Sequence, residues 1–142
     1  MDVTTIIGKG AAEEPTLGAE WYPLETGENG AAVLIAQIKP ARVSELTEQA
    51  TRPVWRGRRK ESEVDTSVLT YLMVEESVKD WRNIFAANGN GEPEALPCTP
   101  ENKRTLIDNW PRFNTVWSRV VQGYEEAEQE REEARAKNST SG

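Results

Sequence analysis

No helix can run unbroken from residue 85 to residue 97. The segment Phe85-Ala86-Ala87-Asn88-Gly89-Asn90-Gly91-Glu92-Pro93-Glu94-Ala95-Leu96-Pro97 holds two Asn-Gly pairs and two prolines. Glycine and asparagine favour turns, and proline lacks the donor a helix interior needs. Apolar helical patterns lie on either side of this break. Neither would be stable alone in water, so the two are expected to fold back on each other. The segment itself reads as a connection, with room for a tight hairpin. Its asparagines and glutamates lack the ordered acidic ligands of a calcium loop.

The first pattern runs from Asp65 to Ile84 and is read as one long helix. Val64, Val68, Tyr71, Val74, Val78 and Trp81 recur near the helical period, and Leu69, Leu72 and Met73 widen the stripe. Asp65 is the expected N-cap. So broad a face calls for burial on more than one side, against the C-terminal helices or against another copy of the chain.

The second pattern begins at Thr99, read as an N-cap, with Pro100 at the first helical position and Glu101 in the first turn. Leu106, Ile107 and Trp110 form its apolar side. Pro111 breaks it. Phe113, Val116, Trp117, Val120, Val121 and Tyr124 then give the most regular stripe in the chain. Trp81, Trp110, Phe113, Trp117 and Tyr124 are therefore expected in the core. Truncating a buried Trp110 or Trp117 to alanine is expected to cost roughly 3–5 kcal/mol. Beyond Tyr124 the stripe stops. Glu125 to Lys137 is rich in glutamate and alanine, which favour helix, and is expected to project as a charged rod. Nothing in Asn138 to Gly142 gives a reason to fold.

The N-terminal part reads differently. Glu20–Leu24 and Ala31–Ile38 look like two strands, joined through Gly27-Glu28-Asn29-Gly30, with Asn29-Gly30 as the turn signal. Trp21 is expected over one face of this hairpin. Ala31 to Ala36 is apolar on both strand faces and needs cover. A short helix from Pro40 to about Gln49, carrying Val43, Leu46 and Ala50, can supply it. Residues 1–19 read as a loose arm or a short strand at Val3–Ile7. Gly8-Lys9-Gly10 lacks the spacing of a phosphate-binding loop. The resulting expectation is an α+β fold, mainly helical. It has an N-terminal β-hairpin, a single domain over residues 20–124, and a charged helical extension with a flexible tail over 125–142.

Residues 52–60 read RPVWRGRRK, five cations around Trp55. One reading is a solvated loop whose charges offset Glu61, Glu63 and Asp65. The other is a contact surface made of Trp55, Arg56, Arg58, Arg59 and Lys60. An aromatic among cations suits an acidic protein surface, and it also suits a nucleic-acid strand. The whole chain has a formal charge of -7, which disfavours a long phosphate backbone. Protein is the expected partner. Tyr71 and Met73 are further candidate contact residues.

Catalytic chemistry is not expected. The chain contains no histidine and one cysteine, so it offers no His-based metal site, no Cys-His pair and no internal disulfide. Glu75 and Glu76 are adjacent and point apart on a helix. The glutamates after Tyr124 lack apolar shielding. Cys98 precedes a helix start, which could stabilise its thiolate, and it reads as structural. No cofactor is expected. The longest apolar run, Ala31 to Ala36, is too short to cross a bilayer, and no secretory signal is apparent.

Three stretches then appear in a telling order: Val78-Lys79-Asp80-Trp81-Arg82-Asn83-Ile84, Cys98-Thr99-Pro100-Glu101-Asn102, and Leu106-Ile107-Asp108-Asn109-Trp110-Pro111. Their order resembles the tail assembly chaperones of long-tailed bacteriophages, over about residues 18–125. The resemblance implies a non-enzymatic role, binding and solubilising the tape measure protein during tail morphogenesis. It further implies the cytoplasm of an infected bacterial host, absence from the mature virion, possible self-association and a possible frameshifted longer form. The basic patch and the charged extension depart from that pattern. A minor virion or head-tail protein is the nearest alternative, and a small nucleic-acid-associated regulator a more distant one.

Overall fold

The structure is a computed structural model and describes residues 16–27 and 29–140, with side chains through residue 138. The elements, in chain order, are β1 (Thr16–Pro23), β2 (Ala32–Ile38), α1 (Pro40–Gln49), β3 (Thr51–Arg56), β4 (Arg59–Val64), α2 (Thr66–Ser77), β5 (Val78–Arg82), β6 (Phe85–Ala87), β7 (Pro93–Ala95), α3 (Pro100–Asn109) and α4 (Pro111–Thr140). The architecture is α+β, as expected. The reading of Val3–Ile7 lies outside the described residues.

β1 and β2 form the expected antiparallel hairpin, with Trp21 opposite Leu34 and Tyr22 opposite Val33, but β1 starts at Thr16, inside the stretch expected as a loose arm, where buried Thr16 pairs with Ile38. The turn is built differently from the Asn-Gly signal. Positive φ falls on Gly27, at +107°, and not on Gly30. Gly30 is needed for room: a Cβ there would stand 2.6 Å from the carbonyl oxygen of Glu25. Trp21 does not cover the core side. It is 40% exposed on the outer face, where the Arg82 guanidinium stacks 4.6 Å from the ring centroid.

The long helix expected over Asp65–Ile84 ends at Ser77, and the chain continues as β5, antiparallel to β2. The reason lies in a bulge. Val78 pairs with Ile35 and Asp80 with Leu34, so Lys79 is the extra residue. A bulge turns the two-residue period of a strand into three between Val78 and Trp81. Both are therefore buried, with Lys79 and Asp80 exposed between them. That spacing mimics a helix. Asn83, at φ +58°, reverses the chain after β5 and bonds the Gly30 carbonyl at 3.2 Å.

The helix ends follow local chemistry. Asp65 Oδ1 accepts from the amides of Ser67 at 3.1 Å and Val68 at 3.2 Å. Thr99 Oγ1 accepts from the Asn102 amide at 3.2 Å, and Pro100 follows as the first helical residue. Pro111 separates α3 from α4. The connection 85–97 carries the small hairpin β6–β7, closed by the Asn88 side chain, which accepts from the amides of Asn90 and Glu92.

The core lies between the inner face of the β1–β2–β5 sheet and helices α2, α3 and α4. Phe113, Val33, Ile35, Val74 and Val78 are wholly buried there. Trp81 meets Phe113 edge-on at 6.2 Å, and Trp110 stacks on Phe113 at 6.4 Å. The Trp81 indole donates to the Leu96 carbonyl, at 2.6 Å. The Trp117 indole donates to Ser77 Oγ at 2.8 Å. Tyr124 and Tyr22 hydroxyls lie 2.9 Å apart. Tyr124 is the last residue of α4 packed against this core. The helix nevertheless continues to Thr140, past Asn138 and into the stretch expected not to fold. Along it Glu128 holds both Arg131, at 3.1 Å, and Arg135, at 3.6 Å.

Candidate protein-binding surface

The basic stretch is not a loop. It forms a two-stranded ribbon, β3–β4, inserted between α1 and α2. Thr51, Val54 and Trp55 favour extended backbone, and Gly57 supplies φ +66° at the first of two turn positions. Both strands are edges, so Pro53 removes no essential ladder bond. The ribbon leaves and re-enters the body at one point, where the Asp65 amide donates to the Ala50 carbonyl at 2.8 Å. No residue of the ribbon is buried.

Strand pairing divides the cations between two faces. Trp55 lies opposite Lys60 and Pro53 opposite Ser62, while Arg56 lies opposite Arg59 and Arg52 opposite Glu63. Directly opposed residues share a face. One face therefore carries Trp55, Pro53 and Lys60. The other carries Arg52, Arg56 and Arg59 with Glu61 and Glu63.

Some of the charge is offset locally. Arg56 reaches Glu61 at 3.1 Å and Glu63 at 3.7 Å, and Arg52 reaches Asp65 at 3.7 Å. These are exposed pairs, worth about 0–1 kcal/mol each. Arg58, Arg59 and Lys60 make no ion pair among the described residues. Trp55 is 67% exposed, more than any other large apolar side chain described.

The other two contact candidates lie elsewhere. Met73 is buried in the core and offers no surface. Tyr71 is half-buried between α2 and α3, its hydroxyl donating to Asp108 at 2.7 Å, its ring 5.2 Å from the Arg104 guanidinium. The bond to Asp108, with burial, raises the Tyr71 hydroxyl above its ordinary range, against the opposing pull of Arg104. The structure thus puts Trp55 on one face of the ribbon with Lys60, puts Arg56 and Arg59 on the other, and separates all of them from Tyr71 and Met73. The expected core residues, by contrast, converge.

Glu75 and Glu76 do point apart: Glu75 pairs with Arg104 at 2.6 Å and Glu76 with Arg42 at 2.8 Å. Cys98 behaves opposite to the expectation from its place before a helix. Burial pushes its thiol up, Asp80 adds to the rise, and Lys103 offsets only part. Among the described residues no group of three acidic or cysteine side chains is placed to hold a metal ion. No helix among them is long and apolar enough to cross a membrane.

Sequence reading missed a shallow groove of about 500 Å³ beside α4. Ile38, Val43 and Tyr124 form its apolar floor, and Glu125 and Glu132 its rim. Its parts come from the junction of β2 with α1 and from α4, far along the chain. The only signal in the sequence was the passage from the apolar stripe to glutamates at Tyr124.

A family model described as YdaY prophage protein matches residues 38–139. The match takes in α1 to α4 and the basic ribbon, and leaves β1 and nearly all of β2 outside. No curated protein and no solved structure matches the chain.

Proposed function

The chain belongs to the YdaY prophage protein family, and from that premise we propose that this phage protein is a non-enzymatic tail assembly chaperone. In this reading it holds helical segments of a tape measure protein in soluble form, in the host cytoplasm, before the tail tube closes around them. It then leaves the assembly and is absent from the finished particle.

The observation that carries the reading is Trp55. An indole 67% exposed, on a ribbon where Arg58, Arg59 and Lys60 make no ion pair among the described residues, is an uncovered anchor. Tryptophan and arginine are the residues most often found to dominate binding energy at protein interfaces. An amphipathic helix with acidic flanks would place its apolar face on Trp55 and Pro53 and its carboxylates near Lys60 on the same face and Arg58 at the turn. The chain's formal charge of -7 would keep such a complex soluble. The tape measure protein as client is what the resemblance of the motifs around Trp81, Thr99-Pro100 and Trp110-Pro111 to tail assembly chaperones implies.

A nucleic-acid strand is the competing ligand for the same residues, since bases also stack on an exposed indole. The two are separated by experiment. Co-expression with the tape measure protein encoded by the same prophage should raise that protein's solubility and allow both to be pulled down together. Trp55→Ala should abolish most of the gain. Titration with labelled DNA and RNA should show no steeply salt-dependent binding. A soluble yield unchanged by co-expression, with both proteins made, would refute the chaperone reading. Stoichiometric recovery of this chain from mature particles would point instead to a virion component.

A further inference from the structure

The basic ribbon and the acidic groove beside α4 carry opposite charges, and they lie on one chain. We infer that the tip of β3–β4 on one copy docks in the groove of a second copy, a head-to-tail contact between copies of this protein.

The charges are lopsided in opposite senses. Thr51 to Val64 holds five cations and two carboxylates, whereas Glu125 to Asn138 holds six carboxylates and three cations. Local pairing sharpens the contrast. Arg131 and Arg135 both turn to Glu128, so Glu125 and Glu132 have no ion pair among the described residues. Arg58, Arg59 and Lys60 are likewise unpaired on the ribbon. The apolar parts also match. Trp55 projects from the ribbon, and the groove floor of Ile38, Val43 and Tyr124 lies under a rim of carboxylates. A groove of about 500 Å³ is within the range that accepts a group the size of an indole and its flanking stems. Seating Trp55 there would bring Lys60, its cross-strand neighbour, to the rim.

Within one molecule the two do not meet. The groove lies at Pro40, the first residue of α1, and the ribbon begins at Thr51, past its last residue. A second copy is therefore the occupant. Because the two surfaces differ, each docked copy leaves one of each free, and the contact closes into a ring or propagates. The inference stands apart from the tape measure reading. A client that takes Trp55 would compete with the second copy.

The test is sedimentation velocity of the full chain over a range of concentrations, at low and high salt. The average mass should rise with concentration and fall with salt, since the rim charges are exposed. Trp55→Ala should weaken association about thirtyfold, the scale of a hot-spot aromatic. The triple variant R58E/R59E/K60E and the double variant E125K/E132K should each remain monomeric. Mixing these two should restore association, because each supplies the surface the other now fits. All altered side chains are exposed, and circular dichroism checks that each variant keeps the parent fold. A wild-type chain monomeric throughout would overturn the inference. So would association that survives both charge reversals, or folded variants whose mixture stays monomeric.

Discussion

Replacing Trp117 by phenylalanine would remove one hydrogen-bond donor from the centre of the protein. The indole nitrogen donates to Ser77 Oγ at 2.8 Å, and that hydroxyl in turn donates to the Met73 carbonyl at 2.6 Å. Ser77 is wholly buried and Trp117 is 6% exposed, so water cannot replace the lost donor. An unsatisfied buried group costs about 1–3 kcal/mol. The smaller ring adds about 1 kcal/mol of lost packing, a fraction of the full truncation cost. Trp117→Phe should therefore destabilise by about 2–4 kcal/mol. Ser77→Ala leaves the indole donor unpaired instead and should cost about 1–3 kcal/mol. The double variant leaves neither partner stranded. Its cost should fall about 1–2 kcal/mol short of the sum of the singles. Urea denaturation followed by far-ultraviolet circular dichroism measures all four proteins, with the slope checked for constancy. Strict additivity would refute the claim that this bond, rather than ring volume, couples α2 to α4.

Asp65→Ala removes the acceptor for two amides at the start of α2 and should cost about 1 kcal/mol, read as a lower melting temperature. Gly30→Ala would put a methyl group 2.6 Å from the Glu25 carbonyl oxygen and should cost about 1–3 kcal/mol in urea denaturation, as overpacking does elsewhere. Because burial raises the Cys98 thiol, alkylation by iodoacetamide at mildly alkaline pH should be slower in the folded protein than in urea. The fold favours the neutral thiol, so its stabilising effect is complete below the unfolded thiol's pKa. It is lost as pH rises through the higher folded value, and Cys98→Ala should flatten that loss in a pH series of melting temperatures.

Where local chemistry decides an element, the sequence was a good guide. Pro40 to Gln49, the Asp65 and Thr99 caps and the stop at Pro111 depend on neighbours in the chain, and all are visible in it. Where an element depends on a distant partner, it was not. β5 is a strand because β2 has a free edge to offer, and its bulge at Lys79 hid that behind a helical spacing. The β3–β4 ribbon has no buried face, so it lacks the alternation of apolar and polar residues that marks a strand. The candidate surface was half legible. Trp55 and its cations stood out by composition, but the groove joins Ile38 and Val43, near neighbours in the chain, to Tyr124, which only the fold brings to them.

The single hydrogen bond between Ala50 and Asp65 at the root of the ribbon has a consequence for descent. A segment whose two ends meet can be exchanged, lengthened or recharged while the helices on either side keep their places, because loop length adds little to the cost of closure. A ribbon mounted in this way can change its tip without disturbing the packing of Trp81, Phe113 and Trp117, which lie in the core.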